Sequence, residues 1–561
     1  MRSHLTMFSP TRNATARTAS PRAVAAAAWL TVALALVALL AYAMPAAWTG
    51  RLGINHFQDD AFYYLVPAKH FLAEGRFSFD GIDATNGFHP LWMAVVVALL
   101  AVLGQGASPE HQVLGVKLLE LGALAGAVAL CSVRVLRAVG AERPEAGGYL
   151  AVIVALLCPW YVVFEQGMET TLAALLLLAV VTAFLAGRGR SLALLLVLLF
   201  LCRLDTGPFI AVPLALVHFA ASRGTPTARL APLAASVAAI LLVTLVNVVT
   251  TGHAVPISGA IKSSFPRPTP HLGYLVEPFN IARLAGWRAW FTDLNLVLCA
   301  GLLLVGAALA ALLPERGQRV RVLALAFVGL LLLANLVLFQ QWEKSIDPRY
   351  LALPLVLGAF VLGTGIAAAL RSVGGHRSRL AWIVLLGVPL AAEAGARVEA
   401  YPATMAQRDD PTRAIFAAIA NVLPADAVIA GTDVGALAFW TGRRVINLDG
   451  VMNTWHYQDV LRDRGLADYL RERGVGYIAT ALWDRPQTYT ARPTEPMYRH
   501  QIDPAAMHGT GYACHAFYVY SYVHHAYSDS LCLRPEREVF RTDVGRDGVA
   551  QAAYVVYRLS P

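Results

Sequence analysis

The chain has 561 residues, of which 57% are hydrophobic and 14% are charged, and its mean hydropathy is +0.55. A soluble protein carries about 25% charged residues, so this composition excludes a string of ordinary soluble domains and requires a bilayer. Of the charged residues, 29 basic and 18 acidic ones precede residue 398, and 16 basic and 18 acidic ones lie in 398–561. We therefore predict a cytoplasmic tail (1–22), a transmembrane domain (23–397) and a soluble α/β domain (398–561).

Apolar runs that approach the roughly 20 residues needed to cross a bilayer recur throughout the transmembrane domain and predict about 11 transmembrane helices. They are Val24–Met44, Val113–Leu136, Gly147–Phe164, Thr170–Ala186, Leu192–Cys202, Phe209–Ala221, Leu230–Thr250, Leu294–Leu313, Val320–Phe339, Leu351–Leu370 and Leu380–Gly395. The two runs on either side of residues 203–208 are short, and they fit either two thin spans or one broken hairpin. Leu91–Leu103 is shorter still, and we predict that it is an interfacial or re-entrant helix.

Arginine clusters fall at every second connection between these runs. Because positive charge in short loops marks the cytoplasmic side, this alternation predicts a multi-pass protein of the inner (cytoplasmic) membrane with a cytoplasmic N-terminus. The long connections 45–112 and 251–292 and the C-terminal domain then lie outside the cytoplasm. The same loop bias accounts for the net charge of +9, and no basic stripe accompanies it that would indicate a nucleic-acid partner.

The C-terminal domain alternates short apolar runs with helical patterns. Strands are expected at Ala427–Thr432, Arg444–Leu448 and Gly476–Ala481, one amphipathic helix at Tyr457–Gly474, and two more strands within Glu538–Arg558. This order predicts an α/β layer with partly parallel strands.

Two cysteines, Cys514 and Cys532, lie in this domain. Disulfides persist outside the cytoplasm, so we predict a bridge between them. The segment 511–533 around them is rich in aromatic residues and histidine. A disulfide-closed β-hairpin fits it better than a zinc site, because no paired cysteine spacing is present.

The first long outer connection contains the densest polar cluster, which begins at His56 and includes Asp59-Asp60. Adjacent carboxylates beside a membrane helix repel each other and are costly near low dielectric. One could act as a general base while the other binds a hydroxyl group or a metal. Alternatively, the pair caps the helix that follows, and composition alone leaves both interpretations open.

The run Asp59-Asp60-Ala61-Phe62-Tyr63, followed by Thr85-Asn86-Gly87-Phe88-His89-Pro90-Leu91-Trp92, resembles the first outer loop of the GT-C class of membrane glycosyltransferases. Within that class the chain is most similar to the bacterial branch around the mycobacterial terminal arabinofuranosyltransferase. Gly167–Thr170, Pro256–Lys262, Arg349-Tyr350-Leu351 and Gly442–Gly450 support the resemblance by their order and sidedness. Together these motifs extend over most of the chain.

This resemblance implies a GT-C-like helical bundle and a polyprenyl-phosphate sugar donor. The reaction it implies is an inverting transfer of the sugar to a cell-envelope glycan or lipid on the outer face of the membrane. We predict Asp59 as the base with Asp60 beside it. Metal dependence varies across the class, so the cofactor is left unassigned and a divalent metal stays open.

A lipid-phosphate donor places its anion at the interface, where cations must neutralise it. Lys262, Lys344 and Arg349 lie on outer connections and are the predicted phosphate ligands, although Lys344 and Arg349 also fit interfacial anchors. His89 is expected either to hydrogen-bond the donor or acceptor or to pack at a helix start.

Three further carboxylates are predicted to assist on the same face. Glu169 lies at the outer end of a span and is predicted to support the site. Asp433 and Asp449 are candidates for binding acceptor hydroxyl groups. Arg203 and Asp205 most simply pair with each other. The expected cavity is bounded by Asp59, Glu169, Lys262 and Arg349, with the C-terminal domain as its roof.

Two other functions compete with the transferase. A flippase or transporter of a lipid-linked sugar would carry its ionisable residues near mid-membrane at broken helices. Here they gather at outer ends, apart from Arg203 and Asp205, which favours the transferase. A non-enzymatic membrane protein that binds envelope glycan would leave Asp59 and Asp60 dispensable.

Overall fold

The computed structural model describes residues 57, 59–104, 106–141, 143–157, 166–273, 275, 295–340, 347–372, 411–463, 465–483, 515–520, 528–533, 538–546 and 549–559. The predicted spans Val24–Met44 and Leu380–Gly395 lie outside these residues. The remaining nine predicted apolar runs fall on helices, although the described part of Gly147–Phe164 ends at Leu157.

Helices account for most of the described residues before 373. They are α1 (Asp59–Glu74), α2 (Pro90–Leu103), α3 (Pro109–Gly140), α4 (Glu145–Leu157), α5 (Thr170–Leu185), α6 (Gly189–Cys202), a π-helical turn (Gly207–Ala211), α7 (Val212–Ala221), α8 (Pro226–Thr251), α9 (Ile257–Lys262), α10 (Leu296–Ala310), α11 (Arg316–Phe339) and α12 (Pro348–Ser372). Among the described residues, α3, α8, α11 and α12 are long and apolar enough to cross a membrane, and six further apolar helices are shorter. The chain is a polytopic helical membrane protein, and the figure of 11 crossings stays a prediction.

Helices α8 and α12 occupy opposite environments in this bundle. In the most apolar window of α12, 83% of the residues are buried, against 17% in α8. Small residues let α12 pack at the centre: a Cβ added at Gly147 of α4 would overlap the backbone oxygen of Gly363, a close approach typical of membrane helices. Helix α12 is therefore central, and α8 lies at the periphery.

Local sequence sets where these helices begin and end. The Thr225 side chain accepts a hydrogen bond from the Ala228 N–H at the start of α8, and Gly252 ends that helix with φ +77°, as expected for a left-handed C-cap. Helix α6 stops at Cys202, and the chain turns through residues 203–206 before the π-helical turn and α7. The two short predicted spans are thus separate helices joined by this turn.

The C-terminal α/β region contains helices α13 (Pro411–Val422), α14 (Gly435–Thr441), α15 (Trp455–Arg462) and α16 (Leu466–Glu472), and strands β1 (Val428–Gly431), β2 (Arg444–Asn447), β3 (Tyr477–Trp483), β4 (His515–Tyr520), β5 (Ser528–Leu533), β6 (Glu538–Arg546) and β7 (Val549–Arg558). Five strands form one sheet in the order β2-β1-β3-β7-β6. Strand β1 runs parallel to β2 and β3, and β7 runs antiparallel to β3 and β6. The partly parallel sheet expected from the sequence is present.

Two details of this region bear on the predictions. The single helix expected at Tyr457–Gly474 is wrong: Gly465 stands between α15 and α16, and its N–H donates to the Val460 carbonyl to end the first helix. Strands β4 and β5 form a separate antiparallel pair in which Cys532 lies opposite Ala516. Cys514 is outside the described residues, so the disulfide stays a prediction.

Candidate active site

Helix α1 begins where the helical bundle meets the C-terminal α/β region. Its first residue, Asp59, accepts hydrogen bonds from the backbone N–H groups of Gly435 and Ala436, each at 2.8 Å, at the start of α14. A Cβ at position 435 would overlap the backbone oxygen of Asp59, so the glycine permits this close approach. Asp59 therefore joins the membrane part of the chain to the C-terminal region.

The next residue, Asp60, contacts cations of the helical bundle. Its Oδ2 lies 2.9 Å from Lys262 Nζ at the end of α9 and 2.6 Å from Arg349 Nη2 in the first turn of α12. Arg349 Nε also lies 3.3 Å from Asp347 Oδ2. Two distant parts of the chain thus converge on one carboxylate, and charge-assisted contacts of this kind are the strong ones in a partly buried site.

These environments shift the pKa values of the Asp59 and Asp60 carboxyl groups in opposite directions. Burial raises the pKa of Asp59 to about 6; the charge of Asp60 adds to the rise, and the two backbone donors oppose it. Burial would also raise the pKa of Asp60, but Lys262 and Arg349 outweigh it and hold that pKa well below its usual range. Asp60 is therefore a fixed anion, whereas Asp59 can exchange a proton near neutral pH.

A second polar cluster surrounds Glu169, the N-cap of α5. Its Oε2 accepts a hydrogen bond from the Tyr64 hydroxyl at 3.1 Å, and its Oε1 lies 3.6 Å from His89 Nε2. The Leu204 N–H donates to His89 Nδ1 at 3.3 Å, which places the proton of a neutral ring on Nε2, facing Glu169. Burial lowers the pKa of His89, and this favours the neutral form.

Arg349 connects the two clusters. Its Nη1 lies 2.8 Å from the sulfur of Met168, and its backbone carbonyl accepts a hydrogen bond from Arg203 Nη1 at 3.2 Å. Arg203 pairs with Asp205 at 3.1 Å, as the sequence predicts. The guanidinium carbons of Arg203 and Arg349 lie 5.0 and 5.2 Å from the centre of the Tyr350 ring. The buried Arg203 and the Tyr350 ring therefore contact Arg349 and hold it in the Asp60 cluster.

The C-terminal region contributes its own carboxylates. Asp449 Oδ2 accepts hydrogen bonds from the Tyr63 hydroxyl at 2.9 Å, from Asn447 Nδ2 at 2.9 Å and from the Asp433 N–H at 3.1 Å. Its Oδ1 accepts the Val451 N–H at 3.0 Å. These donors hold Asp449 in place and fix the backbone of the turn that precedes α14.

Asp433 differs from the other carboxylates of the site because its side chain is exposed, although protein surrounds it on most sides. Its φ of +50° is uncommon for a residue with a side chain. Desolvation by the surrounding protein, together with the charges of Asp449, Asp59 and Asp60, raises the pKa of Asp433 to about 8. Asp433 thus presents an accessible carboxyl group that readily holds a proton.

The structure places most of the predicted site residues near this junction. The first-loop carboxylates, Lys262 and Arg349 converge directly; Arg349 links them to Glu169 and His89; Asp433 and Asp449 approach from the C-terminal side. Lys344 lies outside the described residues.

Sequence reasoning missed several participants. Tyr63 and Tyr64 follow Asp59 and Asp60 by four residues, a spacing that places each pair on one helix face and was available as a signal. Tyr554 on β7 had no such signal. Its hydroxyl is buried and has no hydrogen-bond partner among the described residues. Burial raises the pKa of Tyr554 most, and the charges of Asp59 and Asp433 raise it further.

The donor set of the described residues does not favour a metal. Among them, no group of three or more His, Cys, Asp or Glu side chains is arranged to hold a metal ion. The Asp59, Asp60 and Asp449 oxygens instead accept hydrogen bonds from backbone amides, a tyrosine, an amide side chain and two cations.

Comparison with known proteins gives two similarities. Residues 401–530 match a family model described as a domain of unknown function, DUF8728. Among solved structures, the chain is similar to ArnT from Cupriavidus metallidurans in the apo state, with 14% sequence identity, coverage of 95% of this chain and 98% of that chain, and a TM-score of 0.49. No curated protein matches.

Proposed function

We propose that this protein is a GT-C-type glycosyltransferase that moves a sugar from a polyprenyl-phosphate donor to a cell-envelope glycan or lipid on the extracytoplasmic face of the membrane. The observation that carries the proposal is the Asp60–Lys262–Arg349 cluster, located at helix ends and covered by a region rich in carboxylates. The motifs around Asp59 and His89 support the same class.

The donor phosphate is assigned to the cationic side of the junction. Lys262 and Arg349 each contact Asp60, and this fixed anion orients both cations toward one place. A phosphate entering there would gain charge-assisted hydrogen bonds that strengthen as negative charge develops on the leaving group. Asp60 is thus proposed to organise the phosphate ligands.

The acceptor is assigned to the opposite side, where Asp59 and Asp433 lie. An acceptor hydroxyl oxygen forms a bond to the anomeric carbon of the sugar while the bond from that carbon to the phosphate oxygen breaks. The hydroxyl proton passes to Asp59, and polyprenyl phosphate leaves with the electron pair. A base with a pKa of about 6 is suited to this transfer near neutral pH.

Asp433 and Asp449 are proposed to bind the acceptor and to restrict its charge. Asp433 offers an exposed carboxyl group for a hydroxyl, and Asp449 holds the turn that carries it. Asp59, which is mostly ionised at neutral pH, lies close to Asp433 and repels an anion, so an uncharged hydroxyl acceptor is favoured over a phosphorylated one. Glu169 and His89 are proposed to support the cationic side through Tyr64 and the α5 end.

The test is transfer by purified protein from a panel of polyprenyl-phosphate sugars to envelope glycan and lipid acceptors. We expect the wild-type protein to use at least one donor and Lys262→Ala to lose that activity. Arg471→Ala removes an exposed cation that pairs with Asp468 and is the matched control. No transfer by wild type from any donor, with movement of lipid-linked sugar across liposomes, would replace the proposal with a flippase.

A further inference from the structure

Lys262 is the last residue of a six-residue helix, α9. So short a helix is not stable alone, and the contacts it makes elsewhere must determine where its lysine lies. Ile257 and Ile261 are fully buried, and Ile261 faces the backbone of Gly450 in the C-terminal region. These contacts hold one side of α9, and its first backbone N–H donates to a separate group.

That group is Asn86, in the loop between α1 and α2. Its Oδ1 accepts the Ile257 N–H at 3.1 Å, at the first residue of α9. Its Nδ2 donates to Asn247 Oδ1 at 3.1 Å, one turn before α8 ends. One side chain thus joins the first long connection, the peripheral helix α8 and the helix that carries Lys262.

The partners of Asn86 are themselves restrained. Asn247 is only 7% exposed, so its amide contacts are made away from water, where an unmade hydrogen bond is costly. The neighbouring Gly87 packs so closely on the Val451 carbonyl that an added Cβ would overlap it. The loop backbone therefore has little freedom to shift Asn86 away from α9.

We propose that Asn86 is a positioning residue that sets the start of α9 and thereby places Lys262 Nζ against Asp60 and the donor phosphate. The inference rests on the proposed function for its phosphate ligand. Asn86 acts through Lys262, so its effect on phosphate binding should depend on that lysine being present.

The first experiment is a double-mutant cycle on binding of undecaprenyl phosphate to the purified full chain. We expect Asn86→Leu to weaken binding about tenfold, as for a lost buried hydrogen bond, with kcat for transfer changed less than the donor KM. In the Lys262→Ala background the same change should have an effect of less than about twofold, since residues that act as one unit are not additive. Additive losses would contradict positioning through Lys262.

A conservative substitution, Asn86→Asp, tests the assigned contacts more closely. The carboxylate introduced by Asn86→Asp can still accept the Ile257 N–H. Asn247 Nδ2, which has no partner among the described residues, can turn to donate to the same carboxylate. We therefore expect Asn86→Asp to bind within about threefold of wild type. Binding by Asn86→Asp as weak as that of Asn86→Leu would count against the assigned contacts.

A second readout needs no ligand and separates this inference from the proposed function. Hydrogen exchange of the amides of residues 257–262 should speed up in Asn86→Leu, and it should stay near the wild-type rate in Asn335→Leu, which removes a buried amide from α11. Unchanged exchange would overturn the positioning role. If exchange is faster in Asn86→Leu but the wild-type protein does not bind undecaprenyl phosphate, the positioning role is retained and the proposed function is rejected.

If Asn86→Leu does not fold, Asn247→Ala takes its place. It removes the contact with α8 while the Asn86 acceptor for the Ile257 N–H remains. We expect it to give a smaller loss of binding and a smaller rise in exchange at residues 257–262. If Asn247→Ala gives wild-type values in both measurements, the contact between Asn86 and Asn247 has no role in placing α9.

Discussion

The two sides of the junction differ in charge and in the part of the chain that supplies them. The cationic side comprises Lys262 and Arg349 from the helical bundle, with Arg203 behind them. The carboxylate side comprises Asp433 and Asp449 from the C-terminal region, with Asp59 bound to α14. Asp59 and Asp60 are adjacent in sequence, yet each contacts a different side. A charge separation of this kind suits a reaction in which one substrate is an anion and the other supplies a hydroxyl group.

The largest effect is expected from removing the proposed base on the carboxylate side. Asp59→Asn should reduce kcat of transfer by about 10²–10⁴-fold, the usual contribution of general acid–base catalysis, and leave undecaprenyl-phosphate binding close to wild type. In the wild-type protein, kcat/KM should fall as the pH drops through about 6, because Asp59 of the free protein becomes protonated. Steady-state kinetics over pH 5–8 measure this. Asp463→Asn, at an exposed site, is the control, and transfer by Asp59→Asn at the wild-type rate would remove Asp59 from the chemistry.

Breaking the cationic side should cost stability as well as binding. Arg349→Met leaves Asp60 with one cation and should destabilise the protein by about 3–5 kcal/mol, the usual cost of removing one partner of a buried ion pair. Thermal unfolding in detergent, together with undecaprenyl-phosphate binding, tests this. Arg541→Ala breaks an exposed pair with Glu538 and should change stability by less than about 1 kcal/mol. Equal effects of the two substitutions would show that the Asp60 cluster is not a buried ionic site.

A smaller effect is expected from separating the two sides. Gly435→Ala places a methyl group against the Asp59 backbone, and overpacking typically costs about 1–3 kcal/mol. We expect the C-terminal region to become more sensitive to limited proteolysis and transfer to fall. Gly476→Ala, where an added Cβ meets no atom within 4 Å, is the matched control. If Gly435→Ala resists proteolysis as well as the control does, Asp59 does not secure the contact between α1 and α14.

The smallest effect concerns the pH dependence of stability at Asp433, because this side chain is exposed and solvent screens its charge. Its folded pKa, raised to about 8, lies above the ordinary value, so the folded state binds the proton more tightly than the unfolded state. The stability that this proton provides is complete below the ordinary pKa and is lost as the pH rises through about 8. Asp433→Asn should therefore flatten the decline in unfolding temperature between pH 5 and 9. Melting curves that decline as steeply as wild type would assign the slope to other groups.

Much of the helical part was predictable because a run of apolar residues long enough to cross a bilayer is a signal along the sequence alone. The partly parallel character of the C-terminal sheet was also predictable, since β1, β2 and β3 are separated by helical segments. The break between α15 and α16 was missed because a single glycine such as Gly465 is tolerated inside a helical pattern.

The separate roles of Asp59 and Asp60 were not predictable. Successive helical residues point about 100° apart, so which one meets the cations depends on how α1 is rotated against its neighbours. The partners of Asp59 lie 376 and 377 residues away in sequence, and Tyr63 and Asp449 are 386 residues apart. Such contacts depend on tertiary packing, which no local pattern in the sequence records.

The peripheral position of α8 makes the Asn86 contact observable from outside the protein. Leu241 and Leu245 on this helix are 62% and 58% exposed, so each can carry a spin label or fluorophore without disturbing packed side chains. The same helix ends one turn after Asn247, whose amide is bound inside the protein. A label at Leu245 would therefore report the order of this helix end directly. Its fluorescence or magnetic-resonance spectrum would show whether the end of α8 becomes more or less ordered while substrates bind.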